Sequence, residues 1–246
     1  MGIDEISMKK GSGAYIVIIS DLSRGCVIGV LAERSKAKVK EWLQTLSKKQ
    51  RRKIRWVAMD MWDGYFYALR EEIPHAKIVI DRFHVQKALS EKIDKARRSI
   101  QNKLSEEDRK ELKGSRWIIL KPKDKLTQEQ KITLETICQK YPQINQLHEL
   151  KEEFRNMYGK KEFSPLRARL AFDKWQEKVR TLGIEVLDNF LNTLNNWYRW
   201  ILNYFGIRLT SGRVEGINNK IKLLKRTGFG FRNFGNFRLR IFGAFG

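Results

Sequence analysis

Three acids in this chain stand where carboxylates can do chemistry. Asp60 closes the apolar run Trp56-Val57-Ala58-Met59, Asp4 lies within or beside the first strand, and Glu215 is isolated in a basic stretch from Ser211 to Arg226. No acid follows Glu215 before the last residue, Gly246. In open α/β sheets, side chains at strand C-termini converge on a shared crevice. Gathered there, Asp4, Asp60 and Glu215 would make a hard-oxygen cluster suited to two divalent cations such as Mg²⁺. Two ions roughly 4 Å apart can activate an attacking oxygen and stabilise the leaving one in a phosphodiester displacement. Each acid also has a simpler reading. Asp at a strand end is common as a helix cap or turn residue, with Asp63 the local competitor for Asp60. Glu215 fits an ordinary amphipathic helix making i,i+4 pairs. Spacing alone leaves both readings open.

The segment around Glu215 reads as a helix. At about 100° per residue, Val214, Ile217, Ile221 and Leu224 form one apolar stripe, and Glu215, Asn219, Lys222 and Arg226 line a neighbouring ridge. A carboxylate, an amide and two cations are what a metal ion holding a phosphate needs. Asp81 closes a second strand, Ile78-Val79-Ile80, where it pairs with Arg82 or orients His84. Strand alternation sends Glu5 to the sheet face opposite Asp4.

The elements that must position these acids are legible in outline. Tyr15–Ser20 and Cys26–Leu31 make a hairpin, with Gly25 available for positive φ. A first strand covers about 3–8, and Trp56–Met59 and Lys77–Ile80 read as buried strands. Ser35 caps a helix running to Leu46, and a shorter one covers about Gly64–Glu72. Three antiparallel strands followed by alternating helix and strand indicate a mixed sheet with helices on its faces. From Phe83 to Phe205 the pattern is helical only. It includes a Thr127/Gln130 capping box, Pro142 and Pro165 at first-turn positions, and an aromatic helix from Ile184 to Tyr204.

Composition narrows the partners. The 246 residues are 41% hydrophobic, enough for a core, and carry 50 Lys plus Arg against 28 Asp plus Glu, a formal charge of +22. Such an excess points to a polyanion, nucleic acid first, because each neutralised phosphate releases counterions. No apolar run is long enough to cross a membrane. Cys26 and Cys138 lack metal-ligand spacing, and no secretory leader opens the chain, so a cytoplasmic protein is expected.

Several blocks together resemble the ISL-three-type DDE transposases. They are Gly2-Ile3-Asp4-Glu5, Met59-Asp60-Met61, Asp81-Arg82-Phe83-His84-Val85, and Val214 through Lys222, followed by Gly228 through Ile241. The blocks occur in family order over essentially the whole chain. The resemblance implies a ribonuclease-H-like mixed sheet flanked by helices, with a large all-α insertion before the last catalytic helix. On that reading 1–82 and 206–246 form the core and 83–205 the insertion. It implies Asp4, Asp60 and Glu215 as a metal-binding triad holding two Mg²⁺ or Mn²⁺ ions. The activity implied is hydrolytic nicking of DNA and strand transfer by the freed 3′-hydroxyl. Transposon ends, target DNA and a homo-oligomer assembled on DNA are the implied partners. The family carries a zinc-binding and helix-turn-helix region ahead of its catalytic domain, so this chain, starting three residues before Asp4, reads as an N-terminally truncated copy. A residue expected to be Asn near Glu215 is Gly212 here. The alternative is a catalytically silent DNA-binding remnant.

His84, Asn219, Lys222, Arg226 and Arg232 are the candidate DNA contacts, His84 with a structural hydrogen bond as its competing role. Trp197, Tyr198, Trp200, Tyr204 and Phe205 could stack bases, but their helical spacing favours core packing. The Phe, Gly and Arg of the tail from Lys225 to Arg240 serve DNA contact, packing on the sheet, or both. The run Lys48 through Lys53 reads as a solvated turn, with phosphate contact as the minor alternative.

Overall fold

The computed structural model describes residues 1–8, 15–209, 212–228, 231 and 233–246, with only the backbone for 212–215. The chain divides into two compact units, Met1–Asp81 with Ile207–Gly246, and Arg82–Gly206.

The first unit is built on five strands: β1 (Gly2–Ser7), β2 (Tyr15–Asp21), β3 (Cys26–Leu31), β4 (Trp56–Met59) and β5 (Lys77–Ile80). Their order is β3-β2-β1-β4-β5. The pairs β1/β2 and β2/β3 are antiparallel, while β1/β4 and β4/β5 are parallel. Gly25 adopts φ 73° in the β2–β3 turn, a conformation that side chains disfavour. The chain leaves β1 towards β2 on one side and later returns beside it with β4, so the sheet's order switches at β1.

Helices cover both faces. On one face lie α1 (Lys36–Thr45), capped by Ser35, and α3 (Asp63–Glu72). Trp42 of α1 packs so closely on Gly29 that a Cβ there would sit 2.7 Å from the indole Nε1, which reserves the position for glycine. Between them comes α2 (Lys48–Lys53), a correction to the turn read from sequence. A capping box makes the difference: Gln50 N–H donates to Ser47 Oγ and Ser47 N–H donates to Gln50 Oε1.

On the other face lie α11 (Gly212–Thr227) and α12 (Phe234–Phe245). Ile217 and Ile221, with Phe237 and Ile241, close over Ile6, Ile16, Ile18 and Val30 of the sheet. Phe231 stacks on Phe237 at 4.6 Å, while Arg238 and Arg240 are exposed. The tail therefore buries apolar residues and presents cations in the same segment.

The second unit is helical throughout its described residues: α4 (Arg82–Asn102), α5 (Glu106–Glu111), α6 (Arg116–Leu120), α7 (Gln128–Lys140), α8 (Pro142–Gly159), α9 (Pro165–Leu182) and α10 (Glu185–Ile207), whose last residue belongs to the first unit. The Thr127/Gln130 capping box opens α7, and Pro142 and Pro165 open α8 and α9. The core is aromatic. Phe154 contacts Phe172, Trp175 and Phe190, and Tyr158 contacts Tyr204 and Phe205. Trp197, Tyr204 and Phe205 are buried, which answers in favour of packing for those three. No helix among the described residues is long and apolar enough to cross a membrane.

Two buried polar nodes tie this unit together. Asp94 accepts from Arg97 Nε at 3.0 Å and from Arg116 Nε at 2.9 Å, joining α4 to α6. Replacing Asp94 with Ala is expected to cost about 2 kcal/mol in denaturant melts, since it strands the buried Arg97 guanidinium. His148 and Lys151 of α8 both bind the Ile119 carbonyl, at 3.1 and 2.8 Å. Burial, then the Lys151 charge, pushes the His148 imidazole below its ordinary range. The folded state thus favours neutral His148. That stability is complete above the unfolded histidine pKa, about 6.5, and is lost as pH falls through the lowered folded value. Melts of the parent are expected to steepen below that pH by up to about 1.4 kcal/mol per unit, and His148→Asn to flatten this dependence.

Candidate functional site

The geometry starts with strand register. In the parallel pair β1/β4, Gly2 stands opposite Ala58. Two residues further along each chain are Asp4 and Asp60, so the two acids are neighbours on one sheet face. The pairing begins earlier still, with Ala58 N–H donating to Met1 O at 2.9 Å. Each carboxylate is oriented by its own backbone: Glu5 N–H donates to Asp4 Oδ1 at 2.7 Å and Met61 N–H to Asp60 Oδ1 at 2.6 Å. Both side chains are half-buried.

A buried phenol on α3 lies within electrostatic range of both. Tyr65 of α3 is fully buried, and its hydroxyl has no hydrogen-bond partner among the described residues. Burial pushes it above the ordinary tyrosine range. The charges of Glu5, Asp4 and Asp60 add to this, and Arg34 opposes it. Glu5 itself turns to the other face, where Arg34 Nε meets its carboxylate at 2.6 Å and the guanidinium lies over the Trp62 ring at 4.6 Å.

Helix α11 reaches Asp4 directly. Asn218, buried beside the apolar stripe, donates from Nδ2 to Asp4 Oδ2 at 2.5 Å. Two turns later Lys225 donates to the carbonyls of Ser7 and Met8, at 2.8 and 3.2 Å. Seven helical residues rise about 10.5 Å, and three strand residues about 10 Å. The matched advance means that α11 runs along β1 in the same direction, pinned at both ends. Asn218 Oδ1 is buried and has no hydrogen-bond partner among the described residues.

Asn218 is absent from the sequence-derived ridge. At about 100° per residue it stands, with Lys225, between the apolar stripe and that ridge. The shared flank of Asn218 and Lys225, seven residues apart, was the signal available. Of the residues read from sequence, Glu215 lies in α11 one turn before Asn218, with its side chain outside the described residues. Asn219, Lys222 and Arg226 are exposed on α11. Arg232 lies outside the described residues. His84 is half-buried in α4 of the helical unit, with Phe83 edge-on to its ring at 6.0 Å. Among the described residues no three of His, Cys, Asp and Glu gather as a metal centre. What is described is an acid pair and an amide.

Comparisons with known proteins place the chain. Residues 1–241 match a family model described as Transposase, of the DDE, ISL-three type. The chain is 30% identical over 248 residues to the transposase for insertion sequence element IS1001 of Bordetella parapertussis, covering 100% of this chain and 60% of that protein. It is 25% identical over 256 residues to the transposase for insertion sequence element IS1557 of Mycobacterium tuberculosis, covering 95% of this chain and 57% of that protein. The chain thus spans about three-fifths of the length of these curated relatives. No solved structure matches it. With the family match running from the first residue to Ile241, this chain belongs to the ISL-three-type DDE transposase family.

Proposed function

We propose that the chain is the catalytic part of a DNA transposase, which hydrolyses a phosphodiester and then transfers the freed strand end. Asp4, Asp60 and Glu215 are the acids assigned to two Mg²⁺ or Mn²⁺ ions. The observation that carries this reading is the β1/β4 register, which sets Asp4 beside Asp60, together with the bond from the Glu215-bearing helix to Asp4. The donor set fits such ions: two carboxylates, and a buried amide oxygen at Asn218 without a partner, are hard oxygens of the kind Mg²⁺ selects. Helical spacing of three residues puts Glu215 on the turn adjoining Asn218. The five-strand mixed sheet supports the ribonuclease-H-like reading, with 83–205 as its helical insertion.

When bound, the two ions supply the positive charge that activates the attacking oxygen and stabilises the leaving one. The chain's own groups do the positioning. Backbone N–H groups fix the rotamers of Asp4 and Asp60, and Asn218 holds Asp4 from above. Asn219, Lys222 and Arg226, with Arg232 and His84, are assigned to DNA contact. A homo-oligomer assembled on paired transposon ends is the expected working form.

The test is nicking of supercoiled plasmid in Mg²⁺ or Mn²⁺ and in chelator, comparing the parent with Glu215→Gln. Metal-dependent nicking that disappears in the variant supports the assignment. Equal nicking by both removes Glu215 from it. Salt-sensitive DNA binding with no nicking in either metal favours the silent remnant.

A further inference from the structure

Cations on the α1/α3 face divide into two kinds. Lys36 and Lys40 are bonded to Glu71, Lys38 to Glu41, and Arg51 to Glu72, at 2.6 to 2.9 Å. Lys48, Lys49, Arg52, Lys53 and Arg55 are all exposed, line one shallow concavity, and have no acidic partner among the described residues.

Their arrangement has an energetic cost. Lys48/Arg52 and Lys49/Lys53 are like-charge pairs at i,i+4, which weaken a helix. A free segment of this composition would not stay helical. The Ser47/Gln50 capping box and the Arg51–Glu72 bond hold it in place. The result is two adjacent cationic rows, each spanning one helical turn, on a helix that its cap and ion pair form before any ligand arrives. Arg55 adds a fifth charge where the chain enters β4.

The location separates this patch from the acid pair. Arg55 precedes β4 and Asp60 follows it, five strand steps or about 16 Å apart. Through Arg51 the patch also joins the layer of α1 and α3, whereas Asp4 faces α11. The patch therefore lies at the opposite end of β4 from Asp60, in the helix layer opposite to α11.

We propose that α2 and Arg55 form a second DNA-backbone surface, which grips a stretch of duplex distinct from the one presented to Asp4 and Asp60. Multiple unpaired Lys and Arg in a preformed concavity match phosphates, whose contacts position a duplex without reading its sequence directly. The proposal rests on the reading that the chain acts on DNA, but not on its catalysis.

The test uses the full chain and a fluorescent duplex titrated across a salt series. The triple variant Lys49→Gln, Arg52→Gln, Lys53→Gln is compared with a control, Lys36→Gln, Lys38→Gln, Lys40→Gln, which removes the same charge from acid-paired sites. Circular dichroism verifies that each variant keeps its fold. In the patch variant the slope of log affinity against log salt is expected to fall by about 2–3, near 0.9 per lost phosphate contact. The control is expected to change it by less than one such step. Equal slopes in parent and patch variant, or an equal fall in the control, overturns the proposal. Nicking read in parallel keeps the two claims apart. A reduced patch slope with no metal-dependent nicking by the parent sinks the catalytic reading alone, and Asp60-dependent nicking with an unchanged slope sinks this one alone.

Discussion

Asparagine in place of Asp60 is expected to lower metal-dependent plasmid nicking by about 10³-fold or more, equivalent to roughly 4 kcal/mol of barrier. The substitution keeps the side chain's size and an oxygen able to accept from the Met61 N–H. It removes the charge that Asp60 would bring to a divalent ion shared with Asp4 across the β1/β4 pair. Affinity for duplex DNA in chelator is expected to rise slightly or stay level, since the variant has one negative charge fewer. That split between binding and cutting is the useful readout. A matched loss of both would mean that Asp60 supports the fold instead. Near-parental nicking by Asp60→Asn, with the protein folded, would falsify the acid-pair assignment. Thermal melts with and without Mg²⁺ add a readout free of turnover: the parent gains stability from the ion by mass action, and the variant gains less.

How far the chain discloses this arrangement depends on how local each signal is. Most strands were legible because turn residues bound their apolar runs, Asp21 and Gly25 between β2 and β3, Asp60 after β4, and Pro74 and Asp81 around β5, and the Ser35 and Thr127 caps each lie next to the helix they start. The α2 segment was misread because its composition argues against a helix. What overrides this is a cap at Ser47 and an ion pair to Glu72, 21 residues away. That Asp60 closes a strand is visible in Trp56–Met59. That it stands beside Asp4 depends on a register between strands some fifty residues apart, and no local pattern encodes it. Asn218 shows the same limit at smaller scale. A polar residue at the margin of an apolar stripe reads as the edge of a solvated face until the partner strand is in view. The aromatic residues of α10 went the other way, because their helical spacing already favoured packing and Trp197, Tyr204 and Phe205 are buried.

Asn218→Asp gives the second large effect, with an unusual dependence on pH and metal. Asn218 Nδ2 lies 2.5 Å from Asp4 Oδ2, so aspartate at 218 sets two carboxylates against each other in a half-buried site. Like charges this close cannot both ionise freely, and one of the pair must hold its proton to higher pH than an isolated carboxyl does. A folded-state pKa raised above the unfolded value, about 3.9 for Asp, has a definite sign in linkage. The folded state is favoured at low pH, and its stability falls as pH rises through the raised value. The variant is therefore expected to melt near the parent at about pH 4 and well below it at neutral pH, the reverse of ordinary acid unfolding. A divalent ion offers the added carboxylate a partner, so Mg²⁺ or Mn²⁺ is expected to restore more stability to the variant than to the parent. Asn218→Ala separates this from simple loss of the bond: it is expected to cost about 1–3 kcal/mol at all these pH values and to gain nothing extra from metal. Nicking should fall in both, because both release Asp4 from α11. If the Asp variant instead melts like Asn218→Ala, independent of pH and metal, then Asn218 is only a strut between α11 and β1 and the amide has no place beside the ions.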